Sequence, residues 1–103
     1  MILFDVTLET EAATREGFLD LLRRTMAGAQ REAGCIIYRF SVDLDNPLRF
    51  HLVELWEDEI TFQAHAQGTV LRDFLRDIGG CGRLVSSTAR AGPLAPFVFR
   101  RPT

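Results

Sequence analysis

Two runs of aromatic and β-branched residues, "CIIYRFSVD" at 35–43 and "RFHLVELWE" at 49–57, flank the turn-forming "LDNP". They read as an antiparallel hairpin with apolar side chains on both faces. In the first strand Ile36, Tyr38, Phe40 and Val42 alternate against Cys35, Ile37 and Arg39. In the second, Phe50, Leu52 and Trp56 alternate against His51, Val53 and Leu55. Helices of the same chain can cover one face of such a sheet. The other calls for a partner, because a large apolar sheet face left in water is what a monomer avoids.

The remaining elements follow from changes of period. Residues 2–9, "ILFDVTLE", place Ile2, Phe4, Val6 and Leu8 on one face and Leu3, Asp5, Thr7 and Glu9 on the other, the pattern of a half-buried strand. From Ala13 to about Arg31, Phe18, Leu19, Leu22, Met26 and Ala29 recur at helical spacing, and Gly34 ends that run. Asp58 stands where an N-cap belongs, before "EITFQAHAQ". Gly68 interrupts, Thr69 offers a second cap, and "VLRDFLRDI" follows. After Gly79, Gly80 and Gly82, "RLVSSTARA" reads as the last strand.

The order β-α-β-β-α-β predicts an α+β, ferredoxin-like antiparallel sheet with its helices on one face. A single domain over 1–103 is expected, as is a homodimer packed sheet against sheet. The tail at 92–103, "GPLAPFVFRRPT", is too apolar for a free end and is expected to pack on the partner subunit.

Charge and cysteine usage narrow the function classes. The chain has 12 basic residues, all arginine, and 14 acids. No basic stripe suits a phosphate backbone, so nucleic acid is not an expected partner. Without lysine there is no side-chain amine for Schiff-base chemistry. Cys35 and Cys81 lack CxxC or metal-ligand spacing and read as free thiols. His51 and His65 form no HxH or HxxxH pair, so no metal is expected, and Ser86 and Ser87 sit in a plain strand without a nucleophile elbow. No apolar run approaches membrane length, and no signal-peptide pattern opens the chain. The expectation is no membrane and a cytoplasmic location.

The segments "REAGCIIYRF", "LDNPLRFHLVELWEDEITFQAH" and "AGPL" together resemble the antibiotic biosynthesis monooxygenase-like family. The residues that carry the likeness are Glu32, Gly34, Cys35, Tyr38, Arg49, Phe50, Glu54, Trp56, Glu57, Ala64 and His65. The resemblance implies a dimeric α+β barrel with a pocket in each subunit between sheet and helices. It also implies cofactor-free oxygenation of electron-rich aromatics such as hydroquinones or anthrone-like polyketides. Quinol-oxidising relatives carry a second histidine five residues after the first, where this chain has Val70. Haem-degrading relatives have tryptophan in place of His65 and an axial histidine in place of Leu75, so haem degradation is not expected.

His65 is the candidate base: a helical histidine beside Phe62 and Ala66, with proton affinity near neutral pH. A histidine capping a strand carbonyl fits the same position. Tyr38, the only tyrosine, is a candidate to hydrogen-bond a substrate oxygen or hold a phenolate, and equally a buried tyrosine bonded to backbone. Asp5 is the third catalytic candidate, as a proton acceptor, or is simply solvated. Trp56, Glu54, Phe40 and Phe62 are the candidate substrate-binding residues, although packing accounts for Trp56, and an ion pair with Arg39 or Arg90 accounts for Glu54. Alternation puts His51 on the face opposite Trp56. Arg72 and Arg76, with Asp73 and Asp77, read as a solvated helix face.

The function expected is a cofactor-independent monooxygenase acting on a small aromatic or phenolic substrate with O2, His65 serving as base. The alternatives are a non-oxidative isomerase or hydrolase on the same scaffold, and a non-catalytic ligand-binding dimer module.

Overall fold

The computed structural model describes residues 1–95 and 97–102. The elements are β1 (Ile2–Thr10), α1 (Arg15–Ala29), β2 (Cys35–Val42), β3 (Arg49–Trp56), α2 (Glu59–Ala66), α3 (Thr69–Ile78) and β4 (Gly82–Ala91), with a 3₁₀ turn at Ala12–Thr14 leading into α1. The strands form one antiparallel sheet in the order β2-β3-β1-β4, and the fold is the ferredoxin-like α+β arrangement. Val6, Leu8, Tyr38, Phe50, Leu52 and Trp56 from the sheet and Phe18, Leu21, Leu22, Phe74 and Ile78 from α1 and α3 make a single buried cluster, with Phe62 of α2 packed against it, so all three helices share one sheet face. Burying side chains of this size stabilises by roughly 1.5–3 kcal/mol each. No helix among the described residues is long and apolar enough to cross a membrane.

Two local devices bring the loop after α1 against α2. Asp58 Oδ1 accepts from Thr61 N at 2.8 Å, and Thr61 Oγ1 accepts from Asp58 N, a capping box that fixes the first turn of α2. Gly34 has φ +79°, and a Cβ there would stand 2.4 Å from the Thr61 side chain. Only glycine lets the loop pass so close. Thr69 is not a cap: the N-cap of α3 is Gly68, with no side-chain bond, and Thr69 is the first helical residue.

The hairpin departs from strict alternation at one point. The β2–β3 register shifts between Cys35 and Ile37, so Cys35 sits opposite Trp56 and packs against the core, while Ile36 is exposed. Cys35 therefore lies on the inner face, not with Ile37 and Arg39 as alternation predicts; the extra residue of a bulge reverses the parity.

The open sheet face is only partly apolar. Leu3, Leu55, Ile37 and Val53 form its apolar half. The other half is polar: His51 lies beside Asp43, with Nε2 2.7 Å from Asp43 Oδ2, and Nδ1 is 3.4 Å from Thr7 Oγ1. In the tail, Leu94, Phe97, Val98 and Phe99 are exposed in the single chain. Of the segment expected to pack on a partner, Pro96 and Thr103 lie outside the described residues.

Candidate functional site

A cavity of about 150 Å³ opens between the sheet and the α2–α3 pair. Its walls are apolar, built from Phe4, Leu52, Phe62, Leu71 and Phe74 among others, with Leu75 and Leu84 half-exposed at its mouth. Phe4 and Phe62 stack at 4.8 Å between ring centroids. The polar groups reaching this cavity are Tyr38, Glu54, His65 and Ser87. Concave apolar walls with a few converging polar groups are the usual form of a small-molecule site.

The geometry around His65 follows from the elements that carry it. The ring, 2% exposed in the last turn of α2, stacks on Trp56 at 4.5 Å with 28° between planes. Its Nδ1 lies 2.8 Å from Glu32 Oε1, which comes from the loop that Gly34 shapes. Its Nε2 lies 3.7 Å from Glu54 Oε1, beyond hydrogen-bond range but within ion-pair distance. Trp56 Nε1 donates to the same Glu54 oxygen at 3.0 Å.

Burial opposes negative charge on Glu54, Tyr38 and Cys35. Burial raises the Glu54 carboxyl above the ordinary glutamate value and outweighs the lowering effects of the Trp56 hydrogen bond and of His65, while Glu32 adds to the rise. Burial, followed by the charges of Glu54 and Glu32, pushes the Tyr38 phenol far above the ordinary tyrosine range. That direction favours the neutral Tyr38 hydroxyl, which is able to donate a hydrogen bond. Burial first, then Glu32 and Glu54, raises the Cys35 thiol.

The structure brings His65, Tyr38, Glu54 and Phe62 to one cavity and leaves the other sequence candidates outside it. Asp5 is exposed on the opposite sheet face, paired across from Val53, because it has the parity opposite to Phe4 and Val6. Trp56 is fully buried behind His65 and supports the ring and Glu54; it does not form a cavity wall. Glu54 points to the helix side, toward Trp56 and His65 and away from Arg39, which shares a face with exposed Val53. Phe40 stands edge-on to Tyr38 and lines a different, more open groove of about 400 Å³ against α1, whose titratable side chains are Arg15 and Arg23. That groove is the larger of the two, but it offers no acid or base suited to proton transfer. His51 remains on the open face.

Sequence reasoning gave Glu32 no role. Its partner is 33 residues away, and only the close pass at Gly34 brings the two together. Val70, at the position of the second family histidine, lies over Gly28 of α1, where a Cβ on that glycine would be 3.0 Å from the valine methyl. The position belongs to a helix–helix seam. Among the described residues no cluster of three or more His, Cys, Asp or Glu side chains is arranged to hold a metal.

Residues 1–77 match the sequence profile of the family described as antibiotic biosynthesis monooxygenase. Among solved structures, a Deinococcus radiodurans protein provisionally named an antibiotic biosynthesis monooxygenase superposes with a TM-score of 0.85 at 22% identity, covering 96% of this chain and 99% of that one. A Mycobacterium tuberculosis protein superposes at 0.80 with 20% identity, over 92% and 96% of the two chains. A protein of Nitrosomonas europaea with the same provisional name as the first gives 0.80 at 18% identity, over 89% and 98%. Comparison with curated proteins finds no match.

Proposed function

The chain belongs to the antibiotic biosynthesis monooxygenase family, and from that premise we propose that it is a cofactor-independent monooxygenase of a small, single-ring phenol or quinol, with His65 holding the proton removed from substrate. The observation that carries this reading is the convergence of a sealed imidazole, a buried carboxyl and a neutral phenol on one apolar cavity.

Cavity size supports the single ring. A volume of about 150 Å³ is close to that of the roughly 150 Å³ engineered cavity that takes up benzene. It is well below the roughly 300–1,000 Å³ of sites for larger ligands. A three-ring anthrone does not fit without opening the cavity, so the hydroquinone end of the expected substrate range is the better match. In the mechanism the Tyr38 hydroxyl donates to a ring oxygen, and the walls strip water from the substrate. Loss of a phenolic proton leaves an anion rich enough to reduce O2 directly. One oxygen atom then enters the ring and the other leaves as water, with the ring supplying all of the electrons.

We also propose that the functional unit is a homodimer, joined through the open sheet face and the apolar tail. A second reading, a non-oxidative proton transfer on the same base, is favoured by one observation: position 70 is committed to packing against Gly28. Turnover of a single-ring hydroquinone under ¹⁸O2 separates the two. Oxygenation places one labelled atom in the organic product, whereas an unlabelled, isomerised product identifies the non-oxidative enzyme.

A further inference from the structure

Three titratable side chains from three separate segments form a line from the cavity to solvent. Glu54 of β3 and His65 of α2 both line the cavity, and Glu32 of the loop after α1 lies behind His65. Their side chains are 10%, 2% and 23% exposed in that order, so the imidazole is the sealed middle and Glu32 is the end that reaches water. Of the two ring nitrogens, Nδ1 is engaged by Glu32 at 2.8 Å, and Nε2, without a hydrogen bond, faces Glu54 Oε1 at 3.7 Å. Glu54 Oε1 is held by the Trp56 indole. No fully buried polar side-chain atom among the described residues lacks a partner. Glu54 Oε2 and His65 Nε2, neither of which has a hydrogen bond, are therefore not fully buried, and Glu54 is the more exposed of the two side chains.

We propose that Glu54 Oε2 is the atom that takes the substrate's proton, and that His65 and Glu32 carry that proton onward to solvent. This deepens the phenol-oxygenase reading and rests on it: Glu54 becomes a catalytic residue, and Glu32 a positioning residue that acts through His65. The substrate O–H bond breaks as an O–H bond forms on Glu54. The carboxyl then turns so that its O–H takes the place of Oε1 beside His65, and that O–H bond breaks as an N–H bond forms at Nε2, while Nδ1 releases its own proton to Glu32 and Glu32 yields it to water. No electrons are exchanged in these steps. Their net result is one proton moved from cavity to solvent, with both glutamates restored and His65 left as its Nε2–H tautomer, which resets after product leaves as Nε2 gives its proton to cavity water and Nδ1 regains one from solvent through Glu32.

The arrangement has the features that such a relay requires. Glu32 fixes the Nδ1–H tautomer, which leaves the Nε2 lone pair facing Glu54. The Trp56 ring holds the imidazole plane. The 3.7 Å gap exceeds proton-transfer reach by about half an ångström, a distance that catalytic contacts in empty sites commonly close on binding. Burial first, with Glu32 adding to it, raises the proton affinity of Glu54 above that of an ordinary glutamate, which makes its ionised form a better proton acceptor.

The experiment mixes the full-length protein with 4-nitrophenol without oxygen. Phenolate absorbance reports ionisation, and a pH-indicator dye in weak buffer reports proton release. Wild type ionises the bound phenol and releases the proton in step. Glu54→Gln binds the phenol without ionising it, and Glu54→Asp restores part of the signal. Glu32→Gln ionises the phenol but releases the proton about a hundredfold more slowly. Ionisation by Glu54→Gln equal to wild type would overturn the acceptor, and release in step by Glu32→Gln would overturn the exit. A ligand-free NMR titration of labelled glutamate and histidine separates this from failure of the phenol reading. Coupled titration of Glu54 and His65, shifted in both by Glu32→Gln, upholds the relay, and independent titration sinks it. Absence of nitrophenol binding to the wild type counts against the phenol reading alone.

Discussion

Glu54 is a carboxyl whose ionisation the fold opposes. Because burial raises its folded-state proton affinity above the ordinary value of 4.5, its stabilising contribution is complete below that value and is lost as pH rises through the raised one. Glu54→Gln keeps an oxygen for the Trp56 indole and has no charge to bury. The variant is expected to be more stable than wild type at pH 8, with the gap closing as the pH falls below the ordinary carboxylate value. Urea denaturation at both ends of that range measures it. Activity should fall by about a hundredfold or more in the same protein, the trade expected when a strained group serves chemistry. At this scale the sequence was readable where a residue's role depends on its own strand or helix: alternation put Glu54 on the face of Trp56, and helical spacing singled out His65. It was unreadable where the role depends on what lies above. Nothing in the chain says that α2, and not an arginine, covers Glu54, or that Glu32 reaches His65 across 33 residues. Asp5 is the converse case, since its own parity already set it on the face away from the cavity.

The α1–α3 seam decides what position 70 can do. Val70 fills the space over Gly28 and lies outside the walls of the cavity. Val70→His is therefore expected to leave the cavity without a second imidazole and to destabilise by about 1–3 kcal/mol through overpacking. Chemical denaturation and activity on the same sample test this, and a gain of activity without loss of stability would show that position 70 serves the site. All four strands, the hairpin and the Asp58 cap were legible because period and turn chemistry are local. The bulge at Ile36 was not, since a run as apolar as "CIIY" has no polar residue to mark a change of parity. Thr69 was misread because a threonine after a glycine suits both N-cap and first helical turn, and the backbone chose Gly68.

The whole molecule leaves Leu3, Leu55, Ile37 and Val53 on an uncovered sheet face, and Phe97 and Phe99 exposed in the tail. A dimer would bury both, leaving the His51–Asp43 end of the face polar. Leu55→Asp, which sets a charge between Leu3 and Ile37 without touching the core, is expected to sediment as a folded monomer where wild type sediments as a dimer. A monomeric wild type would remove the dimer from the account. The β-α-β-β-α-β order carried the fold from sequence alone, but the polar half of the open face emerged only with the register that pairs Thr7 with His51. In the proposed function, oxygenation depends on the buried imidazole of His65. The most direct test of that dependence is oxygen uptake with a single-ring hydroquinone by wild type and by His65→Gln, each confirmed folded by circular dichroism. Uptake by wild type that falls about a hundredfold or more in the variant is the predicted result, and no uptake by folded wild type, or equal uptake by both, would contradict the account.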